Sequence, residues 1–303
     1  MKNQDSSVIT LLVDEPTIFK MEDFYKDHLL ENKQPFVSFI AKYEKTTITA
    51  YKSLKVVFQG EGAFREAKIW SKTLKLDINV TKNGDLTRSH IGSDEVGTGD
   101  LFGPIIVVAC YVKAEQIKEL IALGVKDSKL LKDPEITIIA KKLLKLVSYS
   151  QLHLPNLKYN QLIHEGFNMN KIKAYLHNQA LLNLKKKLSV KNIPIIIDQF
   201  CNETKYYEYL HHQKEVVNKI LFITKAESKA VAVACASIIA RYSFISKLEQ
   251  LGQKYGVVIP KGAGGKVDEF AKVFVNKNGI DEFTSIAKMN FKNVERITGL
   301  DSE

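Results

Sequence analysis

Apolar residues recur along this chain with two periods, and the switches between them mark out two regions. Residues 7–13 are apolar and β-branched and are expected to form a strand. Pro16 opens a stretch to about Leu30 that carries Phe19, Met21, Phe24, Tyr25 and Leu29 and reads as a helix. Period-two alternation returns over 35–43, 46–51 and 55–59, and 62–74 reads as a helix with Phe64, Ala67 and Trp70 inward. The order strand, helix, three strands, helix predicts a small antiparallel sheet with helices on one side. The polar stretch 75–88, with its turn signal Asn83-Gly84-Asp85, predicts a linker, so the expected boundaries are 1–74, 75–88 and 89–303.

From Ser89 onward strands alternate with helices, the pattern of an α/β domain. Residues 105–112 are apolar throughout and predict a buried strand. A polar loop follows at 125–129, then a helix from Asp133-Pro134 to about Leu146 and a strand over 149–154. A long helical region covers 159–188, with a break near Gly166. Residues 193–200 and 220–224 read as strands. The small residues of 229–241 predict a helix that packs tightly on the sheet and sits centrally. Helices anchored by Phe270, Val273, Phe274, Phe283 and Phe291 are expected beyond Lys266.

Composition narrows the class. An apolar fraction of 45% over 303 residues supports a full core, and no uninterrupted apolar run approaches the ~18 residues of a membrane span. The opening Met1-Lys2-Asn3-Gln4-Asp5 is unlike a signal peptide, so a cytoplasmic protein without a membrane partner is expected. Cys110, Cys201 and Cys235 lie far apart; two sit in apolar runs and read as core thiols, and no zinc or disulfide framework is suggested. The net charge is +10, and it is uneven: 14 Lys+Arg against 12 Asp+Glu up to His90, then 30 against 22. A basic body suits a polyanionic partner, although a lysine-rich surface kept for solubility explains charge alone equally well.

The candidate chemistry lies at 91–104, Ile-Gly-Ser-Asp-Glu-Val-Gly-Thr-Gly-Asp-Leu-Phe-Gly-Pro. Asp94 and Glu95 stand where a strand enters a glycine turn, a place where two carboxylates can bind a divalent cation. The ordinary fate of an Asp-Glu pair is a solvated turn. The glycines Gly97 and Gly99 imitate a dinucleotide fingerprint, but Phe102 occupies the third glycine position and a strand follows instead of a helix. Gly262-Ala263-Gly264-Gly265-Lys266-Val267 likewise imitates a phosphate loop without its hydroxyl residue or first glycine. Two further acids carry weight. Asp198 ends the apolar run Ile195-Ile196-Ile197, where a charge is costly unless paired or bound to metal. Glu227 opens the small-residue helix, a position that favourable interaction with the helix dipole also explains.

With these four acids in place, the sequence closely resembles the bacterial ribonuclease HIII family over nearly its whole length. The residues that carry the resemblance are Ser93-Asp94-Glu95-Val96-Gly97-Thr98-Gly99-Asp100 with Phe102-Gly103-Pro104, Asp127-Ser128-Lys129, Asp198, Lys225-Ala226-Glu227, 236–241 and 260–264. The sister family, ribonuclease HII, resembles the second region alone. It carries Arg where this chain has Thr98 and Asp where it has Glu227. Leu101 departs from an aromatic residue found in many members.

The resemblance implies a ribonuclease H-like mixed sheet flanked by helices, preceded by a small sheet-and-helix domain similar to the TATA-binding protein. It implies endonucleolytic cleavage of the RNA strand of an RNA–DNA hybrid by a monomer, leaving 5′-phosphate and 3′-hydroxyl ends. Asp94, Glu95, Asp198 and Glu227 would hold two Mg2+ or Mn2+ ions, with Asp94 bridging them. Ser128, Lys129, Ser237 and Arg241 are candidates for substrate binding, Lys129 and Arg241 through phosphates. The Gly97-Thr98-Gly99 backbone would offer N–H and C=O groups to 2′-hydroxyls. Apart from the resemblance, Lys42, Tyr43, Tyr51, Lys52 and Lys55 interleave aromatic and basic residues on the strands of the first domain, a pattern that could grip a nucleic-acid backbone, although ordinary strand composition explains the tyrosines equally well. The alternatives are a type 2 enzyme acting at single ribonucleotides in DNA, which Thr98 disfavours, and a hybrid-binding protein without catalysis, which the four intact acids disfavour.

Overall fold

The structure is a computed structural model that describes residues 8–32, 34–70, 88–125, 128–188 and 192–299. The chain divides into two units, Met1–Ile78 and Asn79–Glu303. The expected linker 75–88 lies outside the described residues except for Arg88, and so does Asp127.

The first unit is an antiparallel sheet of five strands in the order β1-β5-β4-β3-β2. These are β1 (Val8–Leu12), β2 (Leu29–Leu30), β3 (Val37–Tyr43), β4 (Thr46–Tyr51) and β5 (Lys55–Gly60). Helices α1 (Glu15–Phe24) and α2 (Ala63–Trp70) cover one face. Asp14 caps α1 by accepting from the Thr17 N–H at 2.9 Å. Tyr25 joins the two helices, donating to Glu66 at 2.9 Å and accepting from the Trp70 indole at 3.0 Å. Three sequence expectations change here. The first helix stops at Phe24 and Leu29 joins the two-residue edge strand β2, too short to show a period. Phe19 is exposed, because Ile18 and Met21 are the residues of α1 that reach the core. Tyr43 packs against Tyr25 and His28 on the helix side. The alternation of β3, β4 and β5 leaves Lys42, Tyr51 and Lys55 on the face opposite the helices.

The second unit is a mixed sheet in the order β10-β9-β6-β7-β8. The strands β6 (His90–Val96), β7 (Ile105–Val112) and β8 (Ser148–Leu154) form an antiparallel meander. The strands β9 (Ile195–Asp198) and β10 (Ile220–Ile223) run parallel to β6. One face is covered by α8 (Val231–Tyr255) with α3 (Ile117–Ala122), α4 (Asp133–Leu146), α9 (Gly265–Ile286) and α10 (Lys292–Thr298). The other carries α5 (Asn156–His164), α6 (Met169–Lys187) and α7 (Glu203–Tyr209). This is the expected helix-flanked mixed sheet.

The central helix is α8, as its small residues predicted, and it continues past Arg241 to Tyr255. It is long and apolar enough to cross a bilayer by composition, but most of it is buried inside the domain, where it serves as the core helix. Its close approach needs Gly92: a Cβ there would lie 2.2 Å from the Val233 nitrogen. The break at Gly166, with φ 81°, separates α5 from α6. Val273 is exposed, since Phe270 and Phe274, four residues apart, take the core face of α9. Cys110 and Cys235 are buried and Cys201 partly so.

Candidate active site

Parallel pairing of β6 with β9 matches Ile91 to Ile195, Gly92 to Ile196 and Ser93 to Ile197. The next positions in that register are Asp94 and Asp198, so the two acids, far apart in sequence, come together at the end of β9, two residues before β6 ends. Strand alternation sends Asp94 and Glu95 to opposite faces. Asp94 accepts a hydrogen bond from Ser237 on α8. Glu95 turns to α6, where Lys173 lies 2.5 Å from one carboxylate oxygen and His177 2.9 Å from the other. Glu227 enters from beyond β10. Lys225, in the left-handed region at φ 54°, turns the chain so that the Ala226 N–H donates to Asp198 at 2.8 Å. Glu227 then lies buried with only 3% of its side chain exposed, and Lys129 donates to it at 2.8 Å.

The charges are unequal. Burial, then the neighbouring Glu95 charge, pushes Asp94 up to about 8. Burial also raises Asp198, aided by Glu227 and opposed by the Ala226 N–H. Burial acts the same way on Glu95, but His177 and Lys173 overcome it and hold the group down at about 2. Lys129 likewise outweighs burial at Glu227 and lowers it. Among the described residues no three His, Cys, Asp or Glu groups close on one point as a preformed cage. Few protein ligands, with water and substrate oxygens completing the shell, is the usual arrangement for Mg2+. The donor set fits such an ion. It is all carboxylate, Asp94 and Asp198 favour protons that a cation would replace, and the buried Glu227 lies within hydrogen-bond reach of Asp198.

The remaining predicted residues divide. Gly97, at φ 90°, is required by the backbone itself: a Cβ there would lie 2.2 Å from the Pro104 carbonyl oxygen. Gly99 is exposed and a Cβ would meet nothing within 4 Å, so the free protein does not need glycine there. Thr98 lies between them, half-buried. Ser128 and Ser237 share a 2.8 Å hydrogen bond, which makes them part of the support behind Asp94. Arg241 donates to the Ser128 carbonyl and pairs with Asp133 at 2.8 Å, and Lys261 pairs with the same carboxylate. Its guanidinium therefore anchors the turn that presents Lys129.

Sequence reasoning missed Lys173, His177 and Phe200. His177 links Glu95 to Ser93, whose hydroxyl donates to the Val108 carbonyl at 2.9 Å and shares a 2.7 Å hydrogen bond with the histidine Nδ1. Phe200 stacks on His177, and the Lys173 ammonium lies 4.3 Å from the Phe200 ring centre. The i, i+4 spacing of Lys173 and His177 was visible, but only the sheet shows that Glu95 is their common target.

Known proteins share this organisation. Residues 91–294 match the family described as Ribonuclease HII, and residues 8–83 match a domain of unknown function, DUF3378. The chain is 44% identical to ribonuclease HIII of Listeria monocytogenes serotype 4b over 296 residues, 94% of this chain and 96% of that protein. Its fold matches the crystal structure of Bst-RNase HIII in complex with Mn2+ with a TM-score of 0.70 and 36% identity, across 97% of this chain and 98% of that one. The ribonuclease H2 of Pyrococcus horikoshii OT3 matches in fold, with a TM-score of 0.59 and 24% identity, and covers only 70% of this chain. The full-length likeness is therefore to the two-unit proteins, and the chain belongs to the ribonuclease HII family as a member of its ribonuclease HIII branch.

Proposed function

We propose that this chain is an endonuclease that hydrolyses the RNA strand of RNA–DNA hybrids with two divalent cations held by Asp94, Glu95, Asp198 and Glu227. Cleavage leaves 5′-phosphate and 3′-hydroxyl ends. The observation that carries the reading is the carboxylate group of Asp94, Asp198 and Glu227, whose charges act on one another and in which the buried Glu227 lies within hydrogen-bond reach of Asp198. Such a group is unfavourable unless a cation completes it. When bound, the cations supply an activated water and neutralise the charge that develops at phosphorus. Glu95 is held as an oriented anion by Lys173 and His177. Lys129, three-quarters exposed and paired with Glu227, is placed beside the acids as the contact for a substrate phosphate.

The open space above Gly99 lets an RNA strand approach the backbone and present its 2′-hydroxyls. The sheet face of the first unit opposite its helices, with Lys42, Tyr51 and Lys55, serves as a second substrate-binding surface. Mg2+ and Mn2+ both suit the carboxylate set, and the Mn2+ bound by Bst-RNase HIII supports the assignment. The protein acts as a cytoplasmic monomer in this reading.

The type 2 alternative is disfavoured by Thr98, where an arginine would make forked contacts, and by the match across both units. The product pattern on a continuous hybrid beside a duplex with one embedded ribonucleotide, in Mg2+ and then Mn2+, tests the function. Cleavage within the hybrid run is expected. Cutting confined to the single ribonucleotide would overturn it.

A further inference from the structure

The 97–103 loop is held from behind by the C-terminal part of the chain. Leu101 donates its N–H to Gly262 at 2.9 Å and Gly103 to Ile286 at 3.0 Å. The Lys288 N–H donates to the Leu101 carbonyl at 2.9 Å, and the Asp100 carboxylate accepts from the Gly262 N–H at 2.6 Å. One side chain completes the set. The Lys288 Nζ donates to the Asp100 carbonyl at 2.8 Å and to the Gly103 carbonyl at 2.7 Å.

Lys288 is fully buried and makes no ion pair among the described residues. The rings of Tyr159 and Phe291 lie 5.9 Å from its ammonium. Burial pulls the amine down to about 7, against the nearby Asp100 charge. A methionine would occupy similar volume without the desolvation cost of an amine. What a lysine adds is a pair of N–H groups that reach two carbonyls three residues apart. The neutral amine and the ammonium both carry at least two N–H bonds, so the latch works in either state.

We propose that Lys288 is a positioning residue for RNA recognition: it latches the two ends of the 100–103 turn and thereby fixes the height of the Gly97-Thr98-Gly99 backbone against the substrate. Lys288 itself never meets the RNA. The inference rests on the reading that this backbone contacts the RNA strand. Binding geometry depends on such support because a loop displaced by a fraction of an ångström loses its hydrogen bonds to substrate.

The test compares Lys288→Met and Lys288→Gln in the full chain. KM for a hybrid should rise about tenfold in the methionine variant, the scale of one lost hydrogen-bonded contact, and less in the glutamine variant. The kcat at saturation should stay within about threefold, because none of the four acids touches Lys288. Affinity for a plain DNA duplex should not change, so the preference for hybrid shrinks. Should the methionine variant fail to fold, the glutamine variant carries the test. Amide exchange over 97–103, read well below its melting temperature, should then quicken more than exchange across β6 and β7. Wild-type KM and hybrid preference in a folded variant would overturn the proposal, as would a loss confined to kcat or exchange that quickens uniformly. Wild-type protein that fails to cut the hybrid would instead sink the functional reading.

Discussion

Glu95 and Lys173 meet at 2.5 Å through side chains that are only 12% and 10% exposed. An ion pair so enclosed does two things to a candidate metal ligand. It fixes the carboxylate in place, and it cancels part of the charge a cation would seek. Lys173→Met should therefore separate the two effects. Divalent ions should bind about tenfold more tightly by calorimetry, since a competing cation has gone, while kcat falls because Glu95 is no longer held on that side. Unchanged Mn2+ affinity would show that the pair is only structural.

The two glycines flanking Thr98 should behave oppositely. Gly97→Ala forces a side chain into the left-handed region against the Pro104 carbonyl and should cost about 1–3 kcal/mol of stability. Gly99→Ala should melt like the parent yet raise KM for hybrid, since its Cβ points into space the substrate would fill. Equal melting temperatures for the two variants would contradict this division.

Asp198→Asn should reduce cleavage at least about 100-fold while leaving the fold intact. The asparagine oxygen can still accept from the Ala226 N–H, but the charge that holds a cation is lost. Near-parental turnover in Mg2+ would remove Asp198 from the metal site.

Some of this was legible in the sequence and some was not. The apolar run that ends in Asp198 announced that strand and its acid, because burying a charge at a strand end is unfavourable without a partner, and the carboxylate pair Asp94-Glu95 ahead of a glycine turn announced the other. Their adjacency was not legible, since it depends on the parallel register of β6 with β9. Arg241 looked like the end of its helix and a free phosphate contact. The fold absorbs its charge at Asp133, and α8 runs on for four more turns' worth of chain to Tyr255. Val273 misled because three apolar residues in α9 compete for one face, and the pair four apart takes it.

The stability of the metal-free protein should depend on pH through Asp94. Its folded pKa of about 8 lies above the ~3.9 of an unfolded aspartate. The folded state thus holds the proton more firmly, and this contribution is full below about pH 4 and lost as pH rises toward 8. Asp94→Asn does not titrate. The melting temperature of the variant minus that of the parent should widen from pH 5 to pH 8, a difference in which the titrations of His90 and Lys288 cancel. Added Mg2+ should stabilise the parent at pH 8 and the variant far less. A difference that stays constant across that range would deny Asp94 its raised pKa.

The sheet face of the first unit opposite its helices should act in substrate binding. Every candidate metal ligand lies in the second unit, so this face can act only on binding. On it Lys42, Tyr51 and Lys55 stand on three neighbouring strands, while Tyr43 is turned to the helices and serves as an internal control. A tethered second surface raises the local concentration of substrate without touching the transition state. Replacing Lys42, Tyr51 and Lys55 together by alanine should therefore raise KM and leave kcat at saturation within about twofold. The two lost lysines should also flatten the plot of log affinity against log salt by just under about two units, if each contacts one phosphate. These side chains lie outside the buried core of the sheet, so melting should hardly move. A hybrid affinity and salt slope equal to those of the parent would show that this sheet face does not bind the substrate.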